Sequence, residues 1–125
     1  MTSIYKYEVA FSFHSKDEAL AQQLSDLLSD RVSTFIYSEQ QKVLAGQDGE
    51  VVFNAVFGLE ARIVVVLHRE EWGRTPFTRI EQTAIRNRAY NEGYDFTVFI
   101  PTDGKSVPDW VPKNSTLCRS GTLGS

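Results

Sequence analysis

Glu81 sits where a helix packed on a fold should carry an apolar side chain. In the segment Thr75 to Gly93, Phe77, Ile80, Ala84, Ile85 and the stem of Arg88 recur at helical spacing, and at about 100° per residue Glu81 falls inside their arc. A carboxylate placed there faces the fold or a cleft in it. Burying such a group is costly unless it is paired or solvated, so its placement points toward chemistry. A blander reading stays open, because Thr78 followed by Glu81 also spells a capping box in which the acid only closes a helix N-terminus. Thr75 followed by Pro76 is the better helix start, since proline suits the first helical position, and it moves Glu81 beyond the first turn. Two further residues carry usable chemistry. Trp72 could stack on a planar ring or act as a hydrophobic lid, and Ser12 could hydrogen-bond a sugar or phosphate.

The elements that must position these groups are legible in the pattern. Tyr5 to Phe13 (YKYEVAFSF) reads as a first, buried strand. Ser15 with Glu18 forms a capping box, and Leu20, Leu24, Leu27 and Leu28 make a helical stripe running to about Asp30. Thr34 to Tyr37 is a short second strand, followed by a polar loop containing Gly46 and Gly49. Val51, Val52, Ala55, Val56 and Leu59 mark a second helix, and Arg62 to Leu67 (RIVVVL) a central third strand. The third helix covers Pro76 to Asn91 with Gly93 as its cap, and Phe96 to Ile100 is a fourth strand stopped by Pro101. Alternation of this kind predicts an α/β, flavodoxin-like parallel sheet of four to five strands in the order 2-1-3-4-5, with helices on both faces. Thr116 to Arg119 could add a short edge strand. No helix is expected after it, whereas such a sheet needs a last helix over that face, so either the end of the domain is missing or something else covers it.

In such a sheet ligands settle beyond the carboxyl ends of the strands where the order reverses, here between strands one and three. The walls of that crevice are Phe11 to Ser15 on one side and His68 to Trp72 on the other, with the helix bearing Glu81 behind them.

Composition narrows the classes. The chain has 125 residues, 42% of them hydrophobic and 23% charged, as in one ordinary globular domain. A net charge of −3 with scattered Lys and Arg gives no footprint for nucleic acid. No apolar run approaches the ~20 residues needed to cross a bilayer, and Met1 to Glu8 is too charged for a secretion signal, so no membrane association and a cytoplasmic location are expected. Cys118 is the only cysteine, and His14 and His68 have no metal-ligand spacing, so neither a disulfide framework nor a metal is expected. GxxxxGK[ST], GxGxxG and GxSxG are all absent, and the acids of a phosphoaccepting receiver are replaced by FSFHS and LHR.

VAFSFHSKDEALAQQLSDLL, FIYSEQ and IVVVLHREEWGRTPFTRIEQTAIRNRA resemble the TIR (Toll/interleukin receptor) domains, in particular the bacterial TIR domains of antiphage defence. The likeness covers about Tyr5 to Asp103, and residues 1–112 are read as the TIR domain; residues 113–125 form a tail left by truncation or expression, whose closing GTLGS reads as an expression remnant or a frayed natural terminus. The W…TPFTRIE…AI stretch is its most specific part. The resemblance implies an enzyme that cleaves the nicotinamide–ribose bond of NAD+, its substrate rather than a cofactor, with Glu81 as the catalytic acid and Trp72 at the edge of the site. It implies that Phe11, Ser12, Phe13 and His14 contact the nucleotide. Tyr37 to Gly49 match the gating BB loop, which brings Tyr37 to the substrate and makes Leu44, Gly46 and Asp48 candidates for self-association, although an ordinary solvated loop is the simpler reading of those three. Partners implied are other TIR domains, as a homo-oligomer or filament, and a fused or separate sensor module. Whether water or the adenine end attacks, giving linear or cyclic ADP-ribose, stays open. The rival expectation is a non-catalytic adaptor that only recruits other TIR domains; a nucleoside transferase of related topology would want more acids around the sugar.

Overall fold

β-branched and aromatic runs build the sheet that the pattern predicts. In the computed structural model, which describes residues 5–37, 49–104 and 116–117, β1 (Tyr7–Phe13), β2 (Thr34–Phe35), β3 (Ala61–His68) and β4 (Thr97–Pro101) run parallel in the order β2-β1-β3-β4. The two-residue β5 (Thr116–Leu117) continues the sheet beside β4. This is the flavodoxin-like α/β arrangement. The β1–β3 register pairs Ser12 with Val66 and Phe13 with Leu67.

Strand alternation sends successive side chains to opposite faces and so divides the core in two. On one face Ala10, Val64, Val66 and Phe99 pack against α2 (residues 49–55, continuing as a π-helical turn, Val56–Glu60) and α3 (Pro76–Glu92). On the other, Phe11, Phe13 and Leu67 pack against α1 (Glu18–Leu28). Val65 and Ile100 stay half-buried on that second face, and no helix follows β4 among the described residues. None of the helices there is long and apolar enough to cross a membrane.

Three local expectations are corrected. Ser15 and Glu18 do not form a capping box: Ser15–Asp17 is a 3-10 turn whose cap is His14, with Nδ1 accepting the Lys16 N–H at 3.1 Å, and α1 begins at Glu18. The inward stripe of α1 is Ala21, Leu24, Ser25 and Leu28, leaving Leu20 and Leu27 exposed, because small Ala21 and Ser25 let the helix approach the sheet and Ser25 shares a hydroxyl hydrogen bond with Thr34 at 3.0 Å. In α2 the buried residues are Phe53, Val56 and Phe57, whereas Val51, Val52 and Leu59 are exposed. Burying two phenyl rings removes more apolar area than burying valines, so the aromatic phase wins. The π-helical turn then closes with the Ala61 N–H on the Val56 carbonyl and feeds straight into β3.

Candidate active site

The two readings of the α3 start are resolved by its cap. Thr75 is the N-cap, its side chain accepts from the Thr78 N–H, and Thr78 reciprocates toward the Thr75 N–H at 3.2 Å. The capping box is therefore Thr75 with Thr78, and Glu81 is released from any capping duty. Thr78 also accepts from the Gly73 N–H at 2.9 Å. Gly73 has φ +88°, a conformation that residues with a Cβ rarely adopt, and this lets the chain turn tightly from Trp72 into the helix. At the far end Gly93, at φ 82°, closes α3 through a 2.7 Å bond to the Ala89 carbonyl.

Freed of the cap, Glu81 points into the fold and is 1% exposed. Its Oε1 accepts the Ser12 hydroxyl at 2.8 Å, and Ser12 Oγ accepts the Trp72 indole N–H at 2.9 Å. The direction of this relay follows from chemistry alone. An indole nitrogen can only donate, so the single serine proton must go to the carboxyl group. One hydrogen-bonded line thus joins the end of β1, the turn after β3 and the face of α3, at the carboxyl ends of the two strands between which the order reverses. His68, the last residue of β3, has its ring 5.8 Å from that of Trp72.

The other predicted residues are distributed differently. Phe11 and Phe13 alternate with Ser12 and lie with Ala21 and Leu67 in the α1-side core, so the structure does not bring them to the face of Glu81. His14 is half-buried and acts as a cap through Nδ1. Tyr37 joins an aromatic group on the face of Glu81, stacked on Phe35 at 4.9 Å and edge-on to Phe53 at 5.5 Å. Trp72 is 3% exposed and packed in the core, which matches the lid reading rather than an open stacking platform. Leu44, Gly46 and Asp48 lie outside the described residues.

A polar brace at the same sheet edge escaped the sequence reading. Arg69 binds buried Asp17 through both Nε and Nη2, at 2.8 and 2.7 Å, and Thr102 adds a hydroxyl to the same carboxylate at 2.8 Å. The hydrogen bond to Asp17 raises the pKa of Arg69. Lys16 and Glu71 pair at 2.6 Å on the surface, and that hydrogen bond holds the Glu71 carboxyl below its usual range. The Glu70 N–H donates to Asp103 at 2.8 Å. Together these contacts tie the segments after β1, β3 and β4 around Trp72. The only advance signal was the concentration of charges in HSKDE and HREE; their pairing across the sheet has no local signature.

No protein-family model matches the chain, and no curated protein shows significant similarity to it.

Proposed function

We propose that this chain is a TIR-type NAD+ nucleosidase in which Glu81 stabilises the ribosyl cation formed as nicotinamide leaves. The observation that carries this reading is the buried carboxyl group of Glu81, hydrogen-bonded to Ser12 at the carboxyl end of β1. In the reaction the bond from ribose C1′ to the pyridinium nitrogen breaks and its electron pair neutralises the nicotinamide ring. Nicotinamide is already a cationic leaving group, so no general acid is required. The developing oxocarbenium charge is met by Glu81. Water then adds and loses a proton to give ADP-ribose, or an adenine nitrogen of the same molecule adds to give the cyclic product. Ser12 and Trp72 fix the rotamer of the acid, which keeps the charge where the cation forms. In the described arrangement Glu81, Ser12 and Trp72 are nearly sealed from solvent, so substrate entry requires a rearrangement. Self-association through the segment holding Leu44, Gly46 and Asp48, driven by a sensor module in a bacterial antiviral response, would supply that trigger.

The same closure, with Val51 70% and Leu59 77% exposed, favours a second reading as a non-catalytic adaptor that works through TIR–TIR contacts. Incubation of the protein with NAD+, with and without forced clustering, separates the two. The enzyme reading expects nicotinamide release by the wild type and its loss in Glu81→Gln with the circular dichroism spectrum unchanged. Release at equal rates removes Glu81 from the mechanism, and no release under any clustering leaves the adaptor.

A further inference from the structure

His68 is a buried polar group that the mechanism above does not use. It ends β3 and is 6% exposed, and its Nδ1 is enclosed without a hydrogen-bond partner. Leaving a buried nitrogen unsatisfied is a cost that a fold normally avoids. The backbone carbonyl of His68 is, by contrast, engaged, accepting the Thr102 N–H at 2.8 Å. The residue is therefore held in place while one ring nitrogen is left over.

Its position says what the nitrogen could meet. By alternation along β3, His68 shares the face of Val64 and Val66, and Val66 pairs with Ser12, so the ring stands on the Glu81 side of the sheet. The ring is tilted at 57° against Trp72, whose indole orients Ser12 and through it Glu81. Burial lowers the pKa of His68 more than Asp103 raises it, so the imidazole is held neutral. With the carboxyl groups of Glu81 and Asp103 near this end of the strand, a positively charged ring carrying a hydrogen-bond donor fits better than an anionic one.

We propose that His68 is a specificity-determining residue whose Nδ1 accepts a hydrogen bond from the carboxamide N–H of the nicotinamide group. This rests on the NAD+ nucleosidase reading. The role selects the amide over the corresponding acid, because a carboxylate has no proton to give and would face the Nδ1 lone pair directly. A site built to hydrogen-bond a substrate N–H rejects an analogue lacking it far more strongly than an apolar pocket can.

The test compares kcat/KM for NAD+ with that for its deamidated analogue, the nicotinic acid dinucleotide, in clustered wild type, His68→Leu and His68→Asn. The wild type is expected to prefer the amide by at least about tenfold, the factor that a single hydrogen bond of about 1.4 kcal/mol supplies. His68→Leu should bring the ratio close to one, whereas His68→Asn, whose side-chain oxygen can stand near the Nδ1 position, should keep most of it. A general packing defect would lower both substrates together and leave the ratio alone. If wild type cleaves NAD+ but shows no preference, or His68→Leu keeps the preference, the role of His68 is overturned while the nucleosidase reading stands. If Glu81→Gln and wild type are equally inactive toward both substrates, both proposals fall. Should His68→Leu not fold, the ratio in His68→Asn beside His68→Gln decides, since glutamine reaches past the Nδ1 position and should lose the preference that asparagine keeps.

Discussion

The helix α3 buries an acidic and a basic side chain on one face, at a spacing of i, i+7, and treats them in opposite ways. Arg88 donates from Nη1 to the Ala61 carbonyl at 2.7 Å and from Nε to Glu92 at 2.7 Å, and its guanidinium lies 4.0 Å from the centroid of the Phe96 ring. It is a clamp that fastens the end of α3 to the start of β3 and the entry to β4. Its partners are a backbone carbonyl, the rings of Phe96 and Tyr5, and an acid on its own helix. Glu81 instead meets the end of a strand through a neutral hydroxyl that is itself oriented by an indole. A buried charge on an apolar face is thus no evidence of chemistry by itself; what separates the two is where on the sheet each one points.

Substitution at the two positions should therefore separate activity from stability. Glu81→Gln keeps an acceptor for Ser12 and replaces a buried carboxyl group with a neutral amide. It should lower clustered nicotinamide release about 10²–10³-fold while urea midpoints correspond to a stability change within about 1 kcal/mol. A large stability loss with activity retained would reverse the contrast. Arg88→Met keeps the stem but abandons the Ala61 carbonyl and the Phe96 ring, which should cost about 2–4 kcal/mol in urea unfolding. The folded fraction should retain its turnover, and a loss of turnover per folded molecule would place Arg88 in the site.

Ser12→Ala sits between these extremes. It strands the Trp72 N–H and one bond to Glu81, so about 1–3 kcal/mol of stability should be lost together with the orientation of the acid. Fluorescence of Trp72, read in a Trp110→Phe background, provides a second readout, and an unchanged urea midpoint would show that the line from Trp72 to Glu81 is not a structural link.

Acid stability sharpens the contrast further. The pKa of His68 in the fold lies below the 6.5 of the free side chain, mainly through burial. The unfolded chain therefore takes up this proton first, so the contribution is intact above about pH 6.5 and is lost as the pH falls below that value toward the folded one. Subtracting the pH profile of His68→Leu from that of wild type should isolate a decline in this window, and a flat difference would contradict it. The smallest effect is expected from Arg62→Ala, whose 3.3 Å pair with Glu8 is largely exposed and should contribute about 0–1 kcal/mol.

Much of this could be read in advance because periodicity and punctuation are local. RIVVVL and FTVFI are too β-branched and too short for anything but interior strands, and TPFT with Gly93 marks both ends of α3. The phase of α2 was misread because valine and phenylalanine compete for the same face, and only the space under the helix decides between them. The start of α1 was misread because His14, two residues before Lys16, took the capping role that Ser15 and Glu18 advertised. Phe11 and Phe13 are site candidates by their place at the end of the first strand and by the family resemblance, yet alternation along β1 sends them to the face opposite Ser12.

The chain by itself determined the succession of strands and helices, whose alternation implies parallel layering, and the helical phase that puts Glu81 within the apolar arc of α3, whereas the competing capping role was removed only by the Thr75–Thr78 cap. Only the tertiary structure decided that Ser12 meets Glu81 across 69 residues, that Arg69 meets Asp17 across 52 and that Thr102 joins Asp17 across 85. Contacts at such separations depend on strand register and on how closely each helix approaches the sheet. Those are properties of the packed whole, on which the residues between the partners leave no mark.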